Sequence, residues 1–269
     1  AKFTDIAAHW GKESIDYAVG RGLLSGTSET TFAPNIAMTR GMLVTALGRL
    51  ANADTKAYTT NSFTDVKADS AFRPYIEWAY KKGIVQGTGN GNFAPDRAVT
   101  REEIAVIFAN YAKATGYTLP VTPTATTYAD SDRIGSGNKT AVTAMQQAGI
   151  MTGGNGNKFN PKASATRAEV SSMLHRYVKL TIDPATAQGW ALNDAGQYLY
   201  YRDGNALAGT QTIGGVKYFF NDDGTLKTGW INDGDNWRYY SGKIMLAGFW
   251  DIGANGDNKT YYFARDGIM

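Results

Sequence analysis

The run Gly149-Ile150-Met151-Thr152-Gly153, followed by Phe159-Asn160-Pro161 and then by Thr166-Arg167-Ala168-Glu169, decides how most of this chain folds, because the chain contains it three times. Gly22-Leu23-Leu24-Ser25-Gly26 and Gly83-Ile84-Val85-Gln86-Gly87 are the earlier copies of its start. Six residues after the second glycine come Phe32-Ala33-Pro34 and Phe93-Ala94-Pro95, and five after each proline come Thr39-Arg40 and Thr100-Arg101. Phe3-Thr4-Asp5, Phe63-Thr64-Asp65 and, more loosely, Tyr128-Ala129-Asp130 open the copies. A unit of this size cannot bury its own apolar face, so the copies are expected to pack around a shared axis.

Each copy reads as helix, loop, helix. Met42, Leu43, Ala46, Leu47 and Leu50 follow helical spacing, as do Ile104, Ile107, Phe108 and Tyr111, and Val170, Met173, Leu174 and Tyr177. Thr100-x-x-Glu103 and Thr166-x-x-Glu169 spell capping boxes, whereas Thr39 is followed by Met42 and makes a weaker cap. Asp5, Asp65 and Asp130 are expected as N-caps or turn formers of the first helices. Pro120 to Thr127 reads as an extended connector.

Near residue 184 the composition changes. Residues 186–269 hold 16 of the 33 aromatic residues, and Pro184 follows an apolar helical pattern as a stop signal. Gly189-Trp190, Gly209-Thr210, Gly229-Trp230 and Gly248-Phe249-Trp250 open units of about twenty residues. Each carries an aromatic cluster: Tyr198-x-Tyr200-Tyr201, Tyr218-Phe219-Phe220, Trp237-x-Tyr239-Tyr240 and Tyr261-Tyr262-Phe263. Asp-Gly and Asn-Asp turns around aromatic strands predict β-hairpins, and since a lone hairpin is marginal in water, about four are expected to stack as a solenoid. Tyr201 and Tyr240 should face the opposite side of their strands from Tyr200 and Tyr239. The expected architecture is an α-helical pseudo-threefold bundle of modules 1–60, 61–120 and 121–184, then an all-β hairpin-repeat solenoid over 185–269.

Composition narrows the partners. With 27 basic against 24 acidic residues in 269, the net charge of +3 is too small for the field of a nucleic-acid binder. Cysteine is absent, which removes disulfides, thiolate metal sites and a cysteine nucleophile, and suits a bacterial surface protein. No apolar run is long enough to span a membrane. Residues 1–10 lack the features of a signal peptide, as expected of a mature or excised piece. No cofactor or metal motif stands out. His9 and His175 lack ligand-spaced partners, and Gly87-Thr88-Gly89-Asn90-Gly91 precedes Phe93-x-Pro95 rather than a helix. The Asp-Asn-Gly clusters lack calcium-loop spacing, and no nucleophile elbow or clear carboxylate pair is present.

The first part resembles a triplet of S-layer homology modules. The resemblance is carried by the Phe-x-Asp start, the Gly-Ile-Val-x-Gly core, Phe-x-Pro and the signature that stands intact as Thr166-Arg167-Ala168-Glu169, nearly so as Thr100-Arg101-Glu102-Glu103, and degraded as Thr39-Arg40-Gly41-Met42. It implies a pseudo-threefold bundle whose grooves bind secondary cell-wall polysaccharide, often with an acidic pyruvylated sugar that the signature arginine contacts. The tail resembles the cell-wall-binding repeats of choline-binding and glucan-binding proteins. Gly229-Trp230 through Trp237-x-Tyr239-Tyr240 fits the choline type, and Gly214 through Leu226 looks more like the glucan type. Thr210 stands where tryptophan is usual, as do Tyr198, Tyr218 and Tyr261.

Arg40, Arg101 and Arg167 each sit in the first turn of a helix, where the macrodipole disfavours a cation. Either the charge holds an anionic glycan alongside helix N–H donors such as those capped by Thr100 and Thr166, or it pairs internally with a nearby Asp. Trp10 and Trp78 in the first-helix regions either stack on a sugar ring or belong to the core. Trp190, Tyr198, Tyr218, Trp230, Trp237, Trp250 and Tyr261 either cage choline or an α-glucan between hairpins or pack the solenoid. The chain is therefore expected to be a non-enzymatic, secreted anchor of the bacterial cell surface. Its partners would be cell-wall polysaccharide or a peptidoglycan-linked glycan, with choline or α-glucan at the tail and a cargo carried on another segment. The alternatives are a self-assembling S-layer lattice protein and the wall-anchoring part of a polysaccharide-degrading enzyme.

Overall fold

Each Thr-Arg step starts a helix. In the computed structural model, which describes residues 2–121, 124–253 and 258–269, α2 runs Arg40–Leu50, α4 Arg101–Ala114 and α6 Arg167–Ile182. The Thr39, Thr100 and Thr166 hydroxyls accept the N–H of Met42, Glu103 and Glu169 at 3.2, 3.4 and 3.1 Å, so all three caps form. The Glu103 arm departs from a capping box: its carboxylate accepts the Thr100 hydroxyl at 3.0 Å and two guanidinium groups. The shorter helices α1 (Lys12–Gly20), α3 (Arg73–Lys81) and α5 (Lys139–Gln147) precede these. Gly22, Gly83 and Gly149 terminate them at φ of 73°, 72° and 72°, a left-handed conformation glycine adopts without a Cβ penalty.

Asp5, Asp65 and Asp130 do not cap α1, α3 and α5, which have no side-chain cap bond. Each carboxylate instead reaches forward within its copy. Asp5 accepts the N–H of Phe32 and Ala33 at 2.9 and 2.8 Å, Asp65 those of Phe93 and Ala94 at 2.8 and 2.7 Å, and Asp130 those of Phe159 and Asn160 at 2.8 and 2.9 Å. The middle residue of each Phe-x-Pro explains the arrangement: Ala33, Ala94 and Asn160 sit at φ of 56°, 57° and 57°, and the carboxylate holds that strained bend. Burial alone would raise the Asp130 carboxyl, but the N–H groups of Phe159 and Asn160 outweigh it and hold its pKa below the ordinary 3.8. The Phe32 N–H lowers Asp5 likewise.

A depressed folded-state pKa contributes stability that is complete above the unfolded value and is lost as pH falls through the folded one. Thermal melts of the helical unit should stay level from about pH 7 to about pH 5 and decline below about pH 4. Asp130→Asn should destabilise at neutral pH and flatten that acid limb. An acid limb as steep as the parent's would refute the assignment.

Helices from successive copies pack together. α2 lies on α3 and α4 on α5. α6 meets α1 through the stacked rings of His175 and Tyr17, 4.0 Å apart, and through Ser14 Oγ, 3.0 Å from His175 Nδ1. At the centre a closed triangle of backbone bonds marks the pseudo-threefold axis: Met38 N–H donates to Ala165 O at 2.9 Å, Ala165 N–H to Val99 O at 3.3 Å, and Val99 N–H to Met38 O at 3.0 Å. All three side chains are buried, as are Leu43, Leu47, Ile104, Phe108, Val170 and Leu174 on the second helices. A Cβ on Gly26 would lie 2.6 and 2.7 Å from the carbonyl oxygens of Ser28 and Thr31, which explains the glycine at that place in the motif. Of the connector 120–127, residues 122 and 123 lie outside the described residues, and the described remainder has no regular secondary structure.

Two compact units divide the chain, Ala1–Lys179 and Leu180–Met269. The second consists of small antiparallel sheets: β1 (Gly189–Leu192), β2 (Tyr198–Arg202) and β3 (Asn205–Ala206); β4 (Gly209–Ile213) and β5 (Val216–Phe220); β6 (Gly229–Asp233), β7 (Asn236–Ser241) and β8 (Ile244–Met245); β9 (Gly248–Ile252) and β10 (Lys259–Phe263). Residues 254–257, between β9 and β10 in sequence, lie outside the described residues. No closed barrel forms among the described strands. Tyr201 and Tyr240 point into buried clusters, while Tyr200 and Tyr239 on the opposite faces are half-buried, as strand alternation requires.

Candidate functional site

The three signature arginines share one geometry, and it crosses copy boundaries. Each lies at the first position of its helix and reaches into the next copy around the axis. Arg40 Nε donates to Phe93 O at 2.9 Å, Arg101 Nε to Phe159 O at 2.7 Å and Arg167 Nε to Phe32 O at 3.0 Å. Their Nη2 groups donate to Gln86 O, Thr152 O and Ser25 O at 2.8, 2.9 and 2.6 Å. Each guanidinium also lies over the ring of the phenylalanine it bonds, at 4.5, 4.8 and 4.3 Å from the centroid. Neighbouring carbonyl oxygens and a ring face thus offset the unfavourable macrodipole. Burial draws all three guanidinium pKa values down, against the pull of Glu103 on Arg40, Glu169 on Arg101 and Asp5 on Arg167.

The third nitrogen separates them. Arg40 Nη1 pairs with Glu103 Oε2 at 2.9 Å, and Arg97 joins the same carboxylate at 2.7 Å. Arg167 Nη1 faces Met42 Sδ at 3.6 Å. Glu103, Glu169 and Met42 occupy equivalent positions, so Glu169 is the counterpart for Arg101. That pair does not close: among the described residues Arg101 has no carboxylate at ion-pairing distance. A cavity of about 160 Å³ stands there instead, lined by Trp10, Arg101, Thr152, Glu169, Ser172 and Arg176. Arg40 and Arg167 are 5% and 3% exposed, whereas Arg101 is half-buried.

The two front tryptophans have opposite fates. Trp10 is 67% exposed and forms a wall of the cavity, whereas Trp78 is 5% exposed, packs edge-on against Tyr111 and borders a separate cavity of about 340 Å³ with Tyr58 and Lys82. Thr100 and Thr166 are occupied as helix caps. Arg176 was not legible as a site residue. It is equivalent to Arg49 and Asn110, and all three donate to a carbonyl of the Gly-x-x-x-Gly loop: Leu23 O, Ile84 O and Ile150 O at 3.4, 3.2 and 3.1 Å. Only that shared spacing, 61 and then 66 residues, could have flagged it.

In the tail, Trp190 touches Tyr198, Tyr200, Tyr218 and Phe220 with ring centroids 6.1, 5.2, 4.9 and 6.1 Å away. Trp230 repeats the pattern with Trp237, Tyr239, Tyr261 and Phe263 at 6.4, 5.2, 4.8 and 5.9 Å. Tyr218 is buried, so it serves the core as well. Register places Phe249, not Trp250, in the position of Trp190 and Trp230. Trp250 lies opposite Tyr261, and its indole N–H donates to Ala247 O at 2.7 Å.

Family models match stretches in both units. The S-layer homology domain matches residues 2–41, 62–105 and 127–171, the choline-binding repeat residues 207–249, and a cell wall binding repeat residues 255–269. The chain carries three S-layer homology domains followed by choline-binding repeats. Its S-layer homology part is 33% identical over 174 residues to the amylopullulanase of Thermoanaerobacterium thermosulfurigenes, covering 64% of this chain and 9% of that protein. It is 30% identical over 173 residues to the S-layer protein sap of Bacillus anthracis, covering 64% and 20%. The chain thus spans about a tenth to a fifth of the length of these relatives. Choline binding protein F of Streptococcus pneumoniae shares 29% identity over 30% of this chain and 27% of that one, with a TM-score of 0.25. The matched domains are wall-binding rather than catalytic, and they associate the chain with a cell wall or cell surface. Among the described residues no helix is long and apolar enough to cross a membrane.

Proposed function

We propose that this chain is a secreted, non-enzymatic anchor that holds a larger surface protein to the bacterial wall. Its S-layer homology domains grip an acidic secondary wall polysaccharide, and its choline-binding repeats add a second contact. The observation that carries the reading is the cavity lined by Arg101, Arg176 and the exposed Trp10, where among the described residues Arg101 has no carboxylate at ion-pairing distance. Two guanidinium groups against the single carboxylate of Glu169 favour an anion, and the Trp10 ring offers a stacking face to a pyranose. At about 160 Å³ the cavity suits one terminal sugar residue rather than a length of chain, being below the roughly 300–1,000 Å³ of a drug-sized pocket. In the tail, the cage of Trp230, Trp237 and Tyr261 suits choline by cation–π attraction, with an α-glucan as the rival ligand. Tethering two modest contacts raises overall affinity by up to about 10²–10⁴-fold when both engage.

The test is co-sedimentation with purified walls before and after chemical removal of the secondary polysaccharide. The parent should sediment only with intact walls. Trp10→Ala removes an exposed side chain, so it should leave the melting temperature unchanged and weaken wall binding about tenfold, equivalent to about 1.4 kcal/mol. Equal sedimentation of Trp10→Ala and parent would remove Trp10 from the site. Likeness to an S-layer protein favours a lattice as the second reading, which predicts ordered sheets of purified protein without wall material.

A further inference from the structure

The two aromatic cages of the tail are equivalent ring for ring, with Trp190, Tyr198 and Tyr218 in the first standing where Trp230, Trp237 and Tyr261 stand in the second. They differ in what lies over them. The ammonium of Lys243, from the turn between β7 and β8, lies 5.8 Å from the Trp190 centroid and 5.4 Å from that of Tyr198. Both distances fall within the roughly 6 Å reach of a cation–π contact. Among the described residues no lysine or arginine lies over Trp230, Trp237 or Tyr261.

Lys243 is also held at its backbone. Its carbonyl oxygen accepts the hydroxyl of Tyr218, the third ring of the cage, at 2.9 Å. A Cβ on Gly242, at φ of 58°, would touch the edge of Tyr198 at 3.5 Å, so the turn runs close along the cage wall. Desolvation draws the ammonium pKa below the ordinary lysine value, although the residue keeps much of its surface in water.

We infer that Lys243 is a tethered occupant of the first cage, standing where a quaternary ammonium group would bind and keeping soluble ligands of that class out. The second cage is left as the choline-sized site. The inference rests on the reading of these cages as ammonium receptors. It makes Lys243 a specificity residue whose removal adds a site instead of destroying one.

The experiment titrates the full chain with choline chloride, following tryptophan fluorescence and calorimetric stoichiometry. NMR of the Lys243 ε-protons reports ring contact without any ligand. The parent should bind one choline per chain and show these protons shifted upfield by the rings. Lys243→Ala and Lys243→Gln should each bind two, the backbone bond from Tyr218 being untouched by either change. Trp230→Ala should remove the parent's site and leave one in the Lys243→Ala background. Unshifted ε-protons, or a stoichiometry still at one in both folded Lys243 variants, would overturn the occupancy. If ε-protons are shifted but no variant binds choline, Lys243 stays in the cage and it is the ammonium reading of the tail that falls.

Discussion

Arg167→Ala should cost the helical unit about 3–5 kcal/mol, since two hydrogen bonds from a charged donor are lost and each contributes about 1.5–3 kcal/mol. Its bonds to Phe32 O and Ser25 O join residues 135 and 142 apart in sequence and tie the last copy to the first. Cutting the side chain leaves those two acceptors without a donor, removes the cation from the Phe32 ring, and opens a void between Met42 and the loop. Followed by circular dichroism of the helices, the melting temperature should fall by roughly 10 °C. Arg167→Lys should recover little of this, because one ammonium cannot supply two bonds in the geometry of a planar fork. A loss below about 1 kcal/mol would mean that the closure is made elsewhere in the ring.

Arg101→Ala should act differently, weakening wall binding about 100-fold or more while costing less stability than Arg167→Ala. Truncating a charge that meets an anionic ligand costs about 2–5 kcal/mol of binding. The side chain uses two bonds to carbonyl oxygens for structure, yet it is half-buried and lines the cavity. Arg40→Ala provides the contrast, since its third nitrogen is engaged by Glu103 and no ligand is asked of it. Binding isotherms on purified walls, run well below every melting transition, should rank Arg101→Ala far below Arg40→Ala. If the two bind alike, the glycan is not held beside Arg101.

The elements were legible because their signals are local. Helical spacing, a threonine cap, a left-handed glycine and an Asp-Gly turn each act within a few residues. The partners of the arginines were not legible, because they lie 46 to 142 residues away and belong to another copy. The dipole argument did mark these positions as unusual, but it could not say that carbonyl oxygens and a phenylalanine face would receive them. Asp130 was read as a cap or turn former for the helix beside it, and its bonds go instead to the distant N–H groups of Phe159 and Asn160. The register of the repeat does separate the two tryptophans: 61 residues relate α1 to α3, so Trp78 aligns with Tyr17 and not with Trp10. Lys243 gave no signal at all, since it lies 53 residues from Trp190 and within no motif.

The triangle joining Met38, Ala165 and Val99 has an arithmetic of its own. A cycle of three donors and three acceptors has no half-made form, so two copies alone would leave one N–H and one carbonyl oxygen stranded in what was the dry centre. Recombination that transplants this anchor onto another protein must therefore carry the trio as a single indivisible cassette, and a lone copy grafted elsewhere arrives without the partners that complete it.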